Sequence, residues 1–308
     1  MSLLNQKTIN NKITIKGVGL HTGQPVELNL HPSTPNTGIT FKRIDLNKNN
    51  IVIPTFNNVI DTTLCTTLSN EHGVKVSTIE HLMGALYGLG IDNLNVELNS
   101  QELPILDGSA KIFVEKILTT GIKSSSAPIK LIKINKKISY TEGTKSISLD
   151  KSKVASEIDF EINYKNEIIG TQRNKVNIFN DDLKNIFEAR TFCLYEDVEK
   201  LKKAGLVKGG NLDNAIVVGK NEILNSKGLR SSKEFVNHKI LDLAGDFMLS
   251  GARVIGSVEC VHGGHALTNE FLRKIFSDKS NYDIVENESS SINVRKIVPL
   301  NKRLAVNA

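Results

Sequence analysis

The stretch His238-Lys-Ile-Leu-Asp242-Leu-Ala-Gly-Asp246 decides the interpretation of this 308-residue chain. Read as a helix, it places His238 and Asp242 one above the other on one face, and Asp246 continues the stripe one turn later. Its apolar neighbours have the spacing of a buried helix face: Ile240, Leu241, Leu243, Ala244, Phe247 and Met248. The pattern indicates either polar side chains on a solvated face or an imidazole and a carboxylate at metal-chelating spacing. On these residues alone the solvated face is the default, because H-x-x-x-D is a short pattern.

Length and composition are those of a folded protein with enough residues for two domains. The N-terminus lacks the apolar region of a signal peptide, and no apolar run approaches the ~18 residues of a membrane span. The three cysteines, Cys65, Cys193 and Cys260, have no C-x-x-C spacing, which argues against a thiolate zinc site. Scattered free cysteines also suit a reducing compartment. We therefore expect a cytoplasmic protein without an integral membrane segment.

The chain carries a net charge of +6, which is compatible with a nucleic-acid partner, an anionic small ligand or simply a lysine-rich proteome. It has no tryptophan to stack on bases, and no zinc-finger or RNA-recognition motif is present. We therefore predict that nucleic acid is not a partner. The remaining hypothesis is an anionic small molecule.

Two layered units of strands and helices are predicted, which is an α+β arrangement. The serine-rich stretch Ser124–Pro128 has the composition of a linker. It divides the chain into an N-terminal domain (1–124) and a C-terminal domain (128–280), followed by a polar tail (281–308) with no motif. Each half runs through short strands and then a helix, so we expect each domain to be a β-sheet layered with helices.

The clearest helix start of the first half is Ser77-Thr-Ile-Glu80-His81. Ser77 with Glu80 three residues on has the form of a capping box, and His81 would then lie on the polar side of the helix. Alternatively, the carboxylate and the imidazole form half of a metal site. A further helix over 195–206 is rich in lysine and glutamate and is predicted to lie on the surface.

Two histidines and one carboxylate with an open position are the ligands of a catalytic zinc site, and His81, His238 and Asp242 offer them. Zinc lowers the pKa of water to about 7, and a second carboxylate must then take the proton. Glu80 suits that role because it is adjacent to a ligand. The spacing differs from the H-E-x-x-H of zinc peptidases, so the site would lie where the two halves meet.

Three more side chains complete this chemistry. An amine leaving group must be protonated, and His265 can donate the proton if it is held as imidazolium. A neighbouring carboxylate raises the pKa of a histidine, and Asp246 is the candidate. Thr191 offers a hydroxyl to the developing oxyanion, where loss of one donor costs about 10²–10³ in rate.

Seven separate motifs, in the correct order, resemble the UDP-3-O-acyl-N-acetylglucosamine deacetylase family over about residues 5–275. They are GVGLHTG (17–23), DTTLCTTL with STIEH (61–81), GIDN (90–93), PILDGSA (104–110), ARTF (189–192), HKILDLAGDF (238–247) and GGHA (263–266). The family is a cytoplasmic zinc amidohydrolase that removes acetate from UDP-3-O-(3-hydroxyacyl)-N-acetylglucosamine in lipid A synthesis of Gram-negative bacteria. Its fold is a pair of similar α+β domains whose helices pack between two sheets.

Carried over by position, the resemblance implies a full set of site residues. Zn²⁺ would be held by His81, His238 and Asp242. Glu80 would be the base, His265 the acid oriented by Asp246, and Thr191 the oxyanion donor. Lys239 would lie near the substrate diphosphate and Phe192 on the sugar, while three apolar residues would face the acyl chain: Leu194, Val198 and Leu201.

One departure is visible, because Thr63 stands where many members carry methionine. His21 and Asp107 either shape the pocket or only its turns. A hydrolase of another acyl-sugar or amide, and a basic nucleic-acid binder without catalysis, are the competing hypotheses. We expect the protein to be a monomer.

Overall fold

A computed structural model describes residues 5–152 and 156–286 of the chain. It has an α+β fold, which confirms the predicted class. The strands of the first half are β1 (Asn5–Ile9), β2 (Ile13–Val18), β3 (Pro25–Pro32), β4 (Ile39–Arg43), β5 (Ile51–Val52), β6 (Val59–Asp61), β7 (Thr67–Ser69), β8 (Lys75–Val76), β9 (Leu94–Leu98) and β10 (Ile122–Pro128). The helices of this half are α1 (Glu80–Leu89) and α2 (Lys111–Thr120).

The main sheet of the first half has five strands in the order β2-β3-β9-β4-β5. Strands β4 and β9 are parallel, and the other neighbours are antiparallel. Inward residues alternate with outward ones along β2 and β9, which is the pattern of a sheet that buries one face. A smaller antiparallel sheet, β6-β7-β8, leads directly into α1.

The second half contains the larger mixed sheet. Its strands are β11 (Lys130–Ile134), β12 (Ile138–Glu142), β13 (Lys145–Asp150), β14 (Ser156–Asn163), β15 (Thr171–Asn177), β16 (Phe192–Leu194), β17 (Ile216–Val218), β18 (Arg253–Val261) and β19 (Tyr282–Glu286). Its helices are α3 (Lys184–Phe187), α4 (Tyr195–Lys203), α5 (Glu234–Phe247) and α6 (His265–Phe276). The long central strand β18 pairs with β11, β13 and β14, so it joins the parts of this seven-stranded sheet.

Two expectations about chain organisation need correction. The stretch predicted as a linker, Ser124–Pro128, lies within β10, which pairs antiparallel with β1. Its serines supply backbone hydrogen bonds to a strand more than 110 positions earlier in the sequence, and composition does not reveal such pairing. The first residues of the predicted tail form β19, an antiparallel partner of β11. The rest of the tail, from residue 287, lies outside the described residues. The division into two domains remains a prediction.

Helix α1 of the first half packs directly against α5 of the second. Glycines on both helices allow the close approach. A Cβ atom on Gly84 would lie 2.7 Å from a Leu241 methyl carbon, and one on Gly245 would lie 2.2 Å from the Glu80 carbonyl oxygen. Helix α5 also contacts β14 and β15, and α6 contacts β12 and β13. The crossing of α1 and α5 therefore brings Glu80 and His81 onto the polar stripe of α5. Among the described residues, no helix has the length and apolar character needed to cross a bilayer.

Candidate active site

The structure brings His81, His238 and Asp242 together in the interior. All three are at least 95% buried, and one ligand atom from each lies within 4.8 Å of the other two. Asp242 Oδ1 is 3.8 Å from His81 Nε2 and 3.4 Å from His238 Nε2. Two ligands of one zinc ion are at most about 4.2 Å apart, twice a ~2.1 Å bond, so small side-chain rotations complete the set. The default interpretation, a solvated polar face, is therefore wrong for α5.

The donor set fits a divalent cation. Asp242 Oδ1 is buried and has no hydrogen-bond partner among the described residues, although a buried carboxylate oxygen normally has one. The other oxygen, Oδ2, accepts a 2.8 Å hydrogen bond from Lys239 Nζ. The Ala189 carbonyl oxygen lies 3.1 Å from His238 Nδ1 and accepts its proton, which leaves Nε2 free as a ligand. A cation at Oδ1 would supply the missing partner.

Burial and charge keep these three groups in their ligating forms. Burial, reinforced by the neighbouring His238, lowers the pKa of His81 to about 3. Burial also lowers the pKa of His238, so both imidazoles are neutral near pH 7. Although burial opposes ionisation of Asp242, the adjacent His238 and Lys239 lower the pKa of this carboxyl. The site therefore presents two neutral imidazoles and one carboxylate.

Glu80 is the first residue of α1 and lies beside this set. Burial raises its pKa to about 7, which is suitable for a general base near neutral pH. The predicted capping box does not form: the Ser77 hydroxyl donates to the Gln101 carbonyl oxygen, and Ile79 is the N-cap. Glu80 Oε2 instead accepts the backbone N–H of Thr66 at 3.1 Å. The contact with a neighbouring segment replaced the local cap.

His265 and Asp246 form a hydrogen-bonded pair, as predicted, with 2.8 Å between Nδ1 and Oδ2. Burial alone would lower the pKa of this imidazole, but the Asp246 carboxylate outweighs it and raises the pKa to about 9. His265 is therefore protonated at neutral pH and can donate from its other nitrogen. It is the first residue of α6, a helix that the sequence analysis did not predict.

Lys239 and Phe192 lie at the edge of the buried set. The Lys239 ammonium is 5.8 Å from the centroid of the Phe192 ring, which itself lies edge-on to His238 with 6.3 Å between ring centroids. Burial opposes the charge on Lys239, but Asp242 raises its pKa, so it stays cationic. Thr191 precedes Phe192, and its backbone N–H donates to the Gly108 carbonyl oxygen at 2.7 Å.

An apolar pocket of 360 Å³ opens next to Thr191 and Phe192. Val198 and Leu201 of α4 line it, as the resemblance implies, so α4 does not have only a solvated face. Leu194 is not among the lining residues and packs against the main core instead. The predicted stripe assumed one continuous helix, but residues 192–194 form a strand, and the alternation of a strand turns Leu194 to another side.

The two residues left open have distinct surroundings. Asp107 accepts hydrogen bonds from Ser109 and from Arg230 Nη2, the latter at 2.9 Å, so it joins a turn of the first half to the second. His21 lines the apolar pocket. Both of its ring nitrogens are buried and have no hydrogen-bond partner among the described residues.

Several contributing residues were missed by the sequence analysis. Thr66 contacts Glu80, Asp246 and His265, yet its position between two threonine-containing pairs gave no specific signal. Arg190 and Glu234 form an ion pair that is almost fully buried, with 2.8 Å between Nε and Oε1. An arginine next to the first residue of the ARTF stretch was visible in the sequence, but its partner on α5 was not.

Comparison with known proteins agrees with these motifs. A family profile described as LpxC, UDP-3-O-acyl N-acetylglycosamine deacetylase, matches residues 6–277. The UDP-3-O-acyl-N-acetylglucosamine deacetylase of Myxococcus xanthus is 44% identical over 288 residues, covering 92% of this chain and 90% of that protein. The deacetylase of the same name from Teredinibacter turnerae is 41% identical, over 97% of this chain and 99% of that protein. The chain belongs to the UDP-3-O-acyl N-acetylglycosamine deacetylase family.

Proposed function

We propose that this protein hydrolyses the N-acetyl group of UDP-3-O-(3-hydroxyacyl)-N-acetylglucosamine. The products would be UDP-3-O-acyl-glucosamine and acetate, and the reaction would serve lipid A synthesis in the cytoplasm of a Gram-negative bacterium. The observation that carries the proposal is the buried convergence of His81, His238 and Asp242, with one carboxylate oxygen lacking a hydrogen-bond partner. Family membership supports the substrate class.

These three side chains would hold Zn²⁺, because neutral imidazoles and a carboxylate are typical ligands of catalytic zinc. When bound, zinc would supply Lewis acidity, which lowers the pKa of water and polarises a carbonyl group. The tautomer of His238 is suited to this role, since Ala189 accepts the proton on its other nitrogen. Metal identity is thus proposed from ligand type.

Two proton transfers are assigned to the chain's own side chains. The carboxylate of Glu80, with its pKa near 7, takes a proton as a water oxygen adds to the acetyl carbon. His265, held as imidazolium by Asp246, gives a proton to the sugar nitrogen as the carbon–nitrogen bond breaks. The Thr191 hydroxyl would donate a hydrogen bond to the carbonyl oxygen as negative charge develops.

The surroundings of the site suit the rest of the substrate. The 360 Å³ pocket, lined by Val198 and Leu201, would take the acyl chain, because burial of each CH₂ contributes about 0.8 kcal/mol. Lys239 remains cationic at the edge of the site and would contact the diphosphate. Phe192, within 6.3 Å of the His238 ring centroid, would pack on the sugar.

The direct test measures zinc content and acetate release on the UDP-sugar. We expect about one zinc ion per purified wild-type chain, and loss of both zinc and activity for His81→Ala. His72→Ala is the matched control, because His72 is exposed in a turn of the first half. Glu80→Gln should keep its zinc but lose about 10²–10⁴ in kcat, the usual contribution of a general base. A wild-type protein with neither metal nor acetate release would disprove the proposal.

The alternative substrate is another acyl-sugar or amide. Comparison of acylated with non-acylated UDP-N-acetylglucosamine separates the two hypotheses, because the apolar pocket has a role only if the acyl chain binds there. We expect kcat/KM to be much higher for the acylated substrate and to fall for Val198→Asp. Equal rates on both substrates, unaffected by Val198→Asp, would favour the alternative.

A further inference from the structure

Thr66 lies just before β7 and is 1% exposed. Its hydroxyl donates to Asp246 Oδ1 at 2.8 Å, and the same oxygen is 3.1 Å from His265 Nδ1. Its backbone N–H donates to Glu80 Oε2 at 3.1 Å. One buried residue therefore contacts the base, the acid and the carboxylate that orients the acid.

The hydrogen-bond inventory fixes the role of each atom. A threonine hydroxyl has one proton, and Asp246 receives it, so the oxygen can only accept from His265 Nδ1–H. That N–H already donates to Asp246 Oδ2, 2.8 Å away. The carboxylate, the imidazole and the hydroxyl thus close a small ring of hydrogen bonds. Such a ring sets the planes of Asp246 and His265 together, which a single hydrogen bond does not do.

The backbone contact links this ring to the opposite side of the site. Glu80 is placed by the crossing of α1 and α5, whereas Asp246 and His265 belong to α5 and α6. Thr66 comes from a fourth segment and contacts all three. Substitution of the side chain would remove the ring contacts but leave the backbone N–H on Glu80.

We propose that Thr66 is a positioning residue that holds the general base and the acid–carboxylate pair in one fixed arrangement. This inference rests on the proposed hydrolysis. Outer partners of a catalytic site, when removed, commonly cost 10- to 100-fold in activity, because misplacement by about 1 Å is enough.

The test uses two substitutions with opposite chemistry. Thr66→Val keeps the shape and removes the hydroxyl, whereas Thr66→Ser keeps the hydroxyl and removes a methyl group. We expect Thr66→Val to lower kcat by about 10- to 100-fold with KM close to wild type. Thr66→Ser should retain kcat within about threefold of wild type because the hydroxyl is the active feature. Zinc content and melting temperature are measured for both.

A spectroscopic readout separates positioning from general packing. The proton NMR signal of His265 Nδ1–H should move in Thr66→Val and return towards its wild-type position in Thr66→Ser. Thr67→Val is the matched control: it removes the next hydroxyl, which lies 3.7 Å from Cys65 Sγ and outside the ring. It should leave both kcat and the signal unchanged.

The results distinguish this inference from the proposed function. An unchanged kcat and signal in Thr66→Val would overturn the role of Thr66, as would equal impairment of the valine and serine variants. Loss of zinc in Thr66→Val would overturn it too, because the residue would then act on the metal site. A wild-type protein without deacetylase activity would refute the proposed function, while the NMR signal would still report on the hydrogen-bond ring.

Discussion

Replacement of Asp246 by asparagine should move the alkaline limb of the activity profile. The carboxylate is the main cause of the raised pKa of His265, about 9 against an ordinary 6.5, a difference of about 3 kcal/mol. In Asp246→Asn, burial again opposes the remaining carboxylates, so we take 6.5 as the reference. At about pH 8 the protonated fraction of His265 would then fall from about 0.9 to about 0.03, or about 30-fold.

The assay is the pH dependence of kcat/KM for acetate release, which reports the free enzyme's acid and base. In the wild type, activity should rise with pH as Glu80 loses its proton, near or below pH 7 because a bound cation lowers this pKa further. It should fall again as His265 loses its proton near pH 9. In Asp246→Asn the alkaline limb should move down by about two pH units, which narrows the bell.

Asp213→Asn, an exposed carboxylate outside the site, is the control and should leave both limbs in place. An alkaline limb in Asp246→Asn that stays near the wild-type position would refute the reasoning. The acid would then be another group, or the raised pKa of His265 would have a cause other than Asp246.

Three further outcomes are expected. Gly245→Ala should lower the free energy of unfolding by about 1–3 kcal/mol in urea titrations and reduce kcat, because the new Cβ meets the Glu80 backbone. Glu234→Gln should cost about 3–5 kcal/mol by the same titration, since Arg190 then keeps a buried, uncompensated charge. In metal-free protein, the stability advantage of wild type over His265→Gln should shrink as pH rises from about 6.5 to about 9, because a raised pKa stabilises the fold only while the group is protonated.

Each outcome has a control and a contradicting result. Gly264→Ala adds a methyl group where no atom lies within 4 Å, so it should spare stability; equal losses for both glycines would contradict the steric explanation. Wild-type stability in Glu234→Gln would mean that the buried pair is dispensable. A stability advantage over His265→Gln that grows with pH would reverse the sign of the linkage.

Local sequence pattern predicted the chemistry of the site well. The period of His238–Asp246 indicated one polar stripe on a helix with an apolar opposite side, and α5 has this form. The same reasoning failed where a local pattern competed with a distant partner. Ser77 and Glu80 have the form of a capping box, but each hydrogen-bonds to a different segment. The serines of the predicted linker pair with β1 for the same reason.

What the sequence determined by itself is which side chains are available: imidazoles, carboxylates and a hydroxyl at spacings that chelate or transfer protons. Tertiary structure alone decided their distances and protonation. The contact of α1 with α5 through Gly84 and Gly245 brings His81 near Asp242, 3.8 Å between their closest atoms. Burial in that contact raises the pKa of Glu80 to about 7. Helical periodicity reaches only a few residues along the chain, whereas burial and charge depend on segments that meet only after folding.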